Sequence, residues 1–76
     1  MALAFVLINT ELGKGSLVEN SLKEIGEVKE IFAVYGVYDY IVKLETESMS
    51  VLKDIISYKI RRIEHVRSTL TMISIE

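Results

Sequence analysis

The sequence predicts a single α+β domain with the element order β-α-β-β-α-β. Three observations lead there. The chain opens on an apolar run, Leu3 to Ile8. Two stretches with helical spacing follow, each after polar residues that can cap a helix. Between and after them lie runs of period two. Right-handed crossovers then give the ferredoxin-like split βαβ arrangement: a four-stranded antiparallel sheet with both helices on one face.

Leu3 to Ile8 is apolar on both parities and ends at Asn9. Such a strand is expected at the centre of a sheet, covered on both faces. The start, Met1 to Ile8, looks like a signal-peptide core, but it lacks a basic flank and a small-residue cleavage site, and it is too short to span a bilayer. With no cysteine in the chain, the expected location is the cytoplasm.

Gly13-Lys14-Gly15-Ser16 breaks the pattern. It lacks the glycine spacing of a phosphate-binding loop. Ser16 and Glu19 fit a capping box at a helix start. Leu17, Val18, Leu22 and Ile25 fall near one helical face, and Gly26 stands where a helix-ending glycine is expected.

From Val28 to Tyr35 the period is two. Val28, Phe32 and Val34 share one side with Glu30, while Lys29, Ile31, Ala33 and Tyr35 share the other. After a bend at Gly36, Tyr38, Tyr40, Val42 and Leu44 share a side, with Asp39, Ile41, Lys43 and Glu45 opposite. Val28–Tyr35 and Ile41–Glu45 should form a hairpin. Thr46-Glu47-Ser48 offers N-caps for a second helix in which Met49, Leu52, Ile55, Ile56 and Lys59 follow helical spacing, with Ile60 and Ile63 nearby, and which ends between Ile60 and Glu64. Val66 to Ile75 reads as the last strand.

The chain has 76 residues, which allows one domain, 1–76, with a marginal core. Small domains gain stability from disulfides, metals or oligomerisation. Cysteine is absent, and the single His65 cannot build a zinc site without several carboxylates. Oligomerisation remains, and a 50% hydrophobic composition agrees with it. Helices on one face leave the other face of the sheet bare, and the double-sided first strand argues that two sheets pack face to face as a homodimer.

The net charge of −2 is a poor match to phosphate backbones. The one basic cluster, Lys59-Ile60-Arg61-Arg62, suits a helix C-terminus. No nucleic-acid or membrane partner is therefore expected. His65, the best candidate for a general base near neutral pH, stands beside Glu64 before the last strand, where a solvent-facing histidine is expected, so no catalytic residue is assigned.

The segment Gly36-Val37-Tyr38-Asp39-Tyr40 is the best candidate for a binding site. Glycine permits a bend, and an acid and two amphipathic rings follow it. Asp39 can accept from an ammonium, while backbone N–H groups near Gly36 and the hydroxyls of Thr69 or Thr71 can donate to a carboxylate. The same residues also read as an ordinary hairpin turn followed by β-forming threonines. Residue spacing leaves both readings open.

Val34-Tyr35-Gly36-Val37-Tyr38-Asp39-Tyr40-Ile41-Val42-Lys43 resembles the Gly-x-x-Asp hairpin of the leucine-responsive/asparagine regulator (Lrp/AsnC) family. Val66-Arg67-Ser68-Thr69-Leu70-Thr71-Met72-Ile73 resembles its Val-x-x-Thr-x-Thr strand. The chain is thus similar throughout to that family's effector domain, the RAM domain (regulation of amino acid metabolism). Full-length members carry a helix-turn-helix DNA-binding domain ahead of it, so this chain resembles the stand-alone form. His65 stands where the family often has glycine.

The resemblance implies a dimeric α+β barrel, further assembly of dimers into octamers or larger rings, and an amino acid bound between subunits. It implicates Gly36, Tyr38, Asp39, Tyr40, Thr69 and Thr71 as ligand-binding, with no cofactor and no metal. The implied role is a sensor that modulates full-length regulators of amino acid metabolism. Two alternatives are a ligand-free adaptor that co-assembles with such a regulator, and an enzyme of the dimeric α+β barrel type.

Overall fold

A computed structural model describes residues 1–75; Glu76, the last residue of the expected domain, lies outside the described residues. The elements are β1 (Ala2–Thr10), α1 (Gly15–Lys23), β2 (Val28–Ala33), β3 (Tyr40–Thr46), α2 (Met49–Asp54) and β4 (Val66–Ile73). The four strands form one antiparallel sheet in the order β2-β3-β1-β4. This is the ferredoxin-like arrangement, with β1 in the middle as its double-sided hydrophobicity predicts.

One face of the sheet meets the helices. Ala4, Val6 and Ile8 of β1 and Val42 and Leu44 of β3 are fully buried there, against Val18 and Leu22 of α1 and Leu52 of α2. Alternation along β1 is strict, with every even residue buried and every odd residue half-buried. The odd residues Leu3, Phe5 and Leu7 face the other side.

Four local expectations are corrected. No capping box forms at α1: Ser16 lies inside the helix, and the Lys14 carbonyl accepts from the N–H groups of Leu17 and Val18. Glu19 instead turns to Lys23, 3.2 Å away, and to the Tyr40 phenol. Leu17, expected in the core, is 49% exposed. The chain leaves α1 without a left-handed residue, so Gly26 is not a positive-φ cap.

The fourth correction concerns β2. Val28 pairs with Leu44 and Glu30 with Lys43, so Lys29 is the extra residue of a β-bulge. The bulge breaks the period. Ile31 pairs with Val42 and packs on the core together with Val28, although the two have opposite parity.

The second helix starts as expected, with the Ser48 hydroxyl accepting from the Val51 N–H at 3.2 Å. After Asp54 it widens into a π-type turn over Ile55–Ile60, and the Arg61 N–H donates to the Ile56 carbonyl. A π turn brings residues five apart onto one face. Ile55 and Ile60 are thereby both buried, with Ile56 beside them.

The face away from the helices carries an apolar row across all four strands. Phe32 pairs with Ile41, Ile41 with Leu7, and Leu7 with Leu70. Phe32 and Leu70 are each 47% exposed, and Met72, paired with Phe5, is 50% exposed. Among the described residues, no helix is long and apolar enough to cross a membrane.

Candidate functional site

The loop between β2 and β3 spans residues 34–39 and is closed by the Val34 N–H donating to the Asp39 carbonyl at 2.9 Å. Gly36 is fully open to solvent within it, at φ 148°, a conformation that L side chains rarely adopt. Tyr35 and Val37 on either side are exposed, and Tyr38 is half-buried.

Asp39 is tied to the end of β1. Its N–H donates to the Ile8 carbonyl at 3.0 Å, and its Oδ2 accepts from the N–H and hydroxyl of Thr10. Thr10, itself buried, is therefore satisfied by this carboxylate. One side of the Asp39 carboxylate is committed to the fold, which narrows its expected role as an ammonium acceptor to the remaining oxygen.

Asp39 lines a shallow recess together with Asn9, Thr10, the Glu11–Gly13 turn and Arg67. Arg67 is brought there by a second bulge. Asn9 pairs with Ser68 and Thr10 with Val66, which leaves Arg67 unpaired at the start of β4. The recess thus carries two acidic residues, Glu11 and Asp39, and one guanidinium, Arg67, groups able to meet the two charged ends of an amino acid.

Tyr40 begins β3 on the helix face. Its ring end lies against Gly15: a Cβ there would stand 3.1 Å from the phenol oxygen, so glycine at the start of α1 makes room for it. Burial pushes the Tyr40 phenol above its ordinary value, and the neighbouring Glu19, by its charge and a hydrogen bond, acts in the same direction, as does the Asp39 charge. The phenol is thus a neutral donor at neutral pH.

Thr69 pairs with Ile8, on the opposite side of β1 from Tyr40. Two strand spacings, about 10 Å, separate Thr69 from Tyr40, with the buried Ile8 between them. Thr71 pairs with Val6, one row further from the loop. It lines a groove between the second helix and β4 with Lys53, Ile56, Ser57, Arg61 and Ile73. The Thr71 hydroxyl is shielded from solvent and has no hydrogen-bond partner among the described residues.

The six expected site residues therefore fall into two groups. Gly36, Tyr38, Asp39 and Tyr40 lie at the β2–β3 loop and its exit, and Thr69 and Thr71 lie at the β4 edge. Asp39 and Thr71 line different recesses. Sequence reasoning missed Thr10 and Arg67 at the first, and Lys53, Ser57 and Arg61 at the second. Thr10 meets Asp39 across 29 residues, and Arg67 arrives by a bulge, so neither leaves a local signal.

His65 has a left-handed backbone, with φ 76°. This is a conformation that favours glycine, in agreement with the residue expected there by resemblance. Its Nδ1 lies 3.1 Å from Glu11 and its Nε2 3.5 Å from Glu64.

A ferredoxin-like fold hosts many functions, so the class of protein has to come from relatives. The family model of the Lrp/AsnC ligand binding domain matches residues 3–76, and the chain belongs to this domain family. It is 37% identical over 71 residues to the HTH-type transcriptional regulator FL11 of Pyrococcus furiosus, covering 93% of this chain and 46% of the relative. The chain thus spans about half the length of the curated relatives it matches. The solved structure of FFRP-DM1 superposes with a TM-score of 0.94 at 44% identity, covering 99% of this chain and all of that one. The transcriptional regulator NMB0573 of Neisseria meningitidis, solved as a complex with L-Met, shares the fold with a TM-score of 0.86 at 17% identity, covering 99% of this chain and half of the other.

Proposed function

We propose that this chain is an amino-acid-binding regulatory module. It pairs through the open face of its sheet and takes its ligand at a subunit interface. The loop Gly36–Tyr40 of one subunit and the β4 groove of another each contribute half of the site. Ligand contacting two chains favours the assembled state, and this population shift is the regulatory event. Its target would be transcription regulators of amino acid metabolism, reached through mixed assembly.

The observation that carries the reading is the separation of the two residue groups. Asp39 and Arg67 form a charged recess at one place, and Thr71 sits with an unmet hydroxyl at another. Neither is a complete pocket, whereas ligand sites are usually enclosed on most sides. Binding across subunits gives each half a partner. The apolar row Phe32–Ile41–Leu7–Leu70 supports the pairing of sheets, since a continuous exposed apolar patch marks an interaction surface.

The test is a thermal-shift screen of the twenty amino acids with light scattering on each hit. A selective rise in melting temperature with a change in assembly is the expected result. A stable oligomer that no amino acid shifts would favour the ligand-free adaptor instead. The catalytic alternative has little support, because the single histidine pairs with Glu11 and Glu64 and lines neither recess.

A further inference from the structure

The groove between the second helix and β4 has a distinct chemistry. Its lining holds two cations, Lys53 and Arg61, and no carboxylate. Ile56 and Ile73 supply apolar walls, and Ser57 and Thr71 supply hydroxyls. Neither cation forms an ion pair among the described residues. The Thr71 hydroxyl is shut away without a partner, which is unfavourable in a fold.

We infer that this groove selects a ligand with an acid at both ends: a dicarboxylic amino acid such as glutamate or aspartate. The inference rests on the reading of the chain as an amino-acid-binding module and names the ligand class. Lys53 and Arg61 are two cations without ion pairs on one groove, so a single carboxylate matches one charge and leaves the other unmet. A ligand with two carboxylates joined by methylenes engages both. Its methylenes lie on Ile56 and Ile73, and its oxygens reach the exposed hydroxyl of Ser57. The ammonium is left for Asp39 of a neighbouring subunit. A long polyanion fits less well, because the chain as a whole carries a net charge of −2.

Calorimetric titration of the intact oligomer with L-glutamate, L-glutamine, L-leucine and glutarate tests this, on the wild type and on Arg61→Gln and Asp39→Asn. Glutamate should bind at least tenfold tighter than glutamine. Arg61→Gln should remove that preference, and added salt should weaken glutamate more than leucine. Glutarate, which has no ammonium, should bind in an Arg61-dependent way and be indifferent to Asp39→Asn. Leucine or glutamine binding tighter than glutamate, unaffected by Arg61→Gln, would overturn the dicarboxylate class and leave the amino-acid reading standing. Arg61-dependent binding of glutarate with no amino acid bound would uphold the groove and sink the amino-acid reading. No binding by any of the four would overturn both.

Discussion

The Asp39 carboxylate accepts two hydrogen bonds through one oxygen, from the Thr10 N–H at 2.8 Å and the Thr10 hydroxyl at 3.2 Å. The end of the central strand is thereby locked to the loop that carries the glycine bend. The acid thus serves the fold and the recess at once. An asparagine keeps an acceptor for Thr10 and removes the charge. Asp39→Asn should therefore leave urea stability within about 1 kcal/mol of wild type, whereas Asp39→Ala strands the buried Thr10 donors and should cost about 1–3 kcal/mol. Equal losses in the two variants would show that the anchor depends on charge rather than on acceptor geometry. Ligand binding through the ammonium should be lost in both.

His65 occupies a left-handed conformation at φ 76° without being glycine. For an ordinary L-residue that backbone costs roughly 1–2 kcal/mol, and β-branched residues suffer most. Against this, the Glu11 carboxylate gives His65 a partially exposed partner worth less than about 1 kcal/mol. Denaturation curves should rank the variants His65→Gly at or above wild type and His65→Val below it by about 1–2 kcal/mol. A valine variant as stable as the glycine one would mean that the turn rearranges freely.

On the open face, Leu7 sits between Ile41 and Leu70 in the middle of the apolar row. A charge there would be buried without a partner if two sheets pack together, which is strongly unfavourable. The same residue is only half-buried in the single chain. Leu7→Glu should therefore split the oligomer in sedimentation while leaving far-ultraviolet dichroism unchanged. Thr71→Val, on the helix side of the sheet, should leave assembly intact and stability the same or higher, because it removes an unmet hydroxyl.

The overall architecture was readable because its signals are local. The double parity of β1 placed it centrally, the alternation of Tyr40, Val42 and Leu44 set β3, and Ser48 marked a helix start. The expectations that missed have long-range causes. Glu19 left its capping role because Tyr40 reaches across to it, a contact that Gly15 makes room for. Val28 and Ile31 share a face only because Lys29 bulges out of the ladder. The candidate site was legible as a set of residue types. The sequence did not reveal its division into two recesses, because Tyr40 and Thr69 flank the same residue, Ile8, from opposite sides of β1.

Tyr40 gives the fold a signature in alkali. Its phenol is raised above the ordinary value of 10.0 by burial, then by Glu19 and Asp39. The folded chain therefore holds this proton more tightly than the unfolded chain does. Where the unfolded phenol has ionised and the folded one has not, the native state binds more protons and stability falls with rising pH. The contribution is complete below about pH 10 and is lost as pH climbs through the raised folded value. Tyr40→Phe removes the titration, so the fall in denaturation midpoint above pH 10 should be shallower than in wild type. Glu19→Gln should have a smaller effect in the same direction, since burial, the first cause of the shift, remains. Parallel slopes for Tyr40→Phe and wild type would mean that the phenol ionises freely in the native state, and would place it outside the packed corner formed by Gly15 and Glu19.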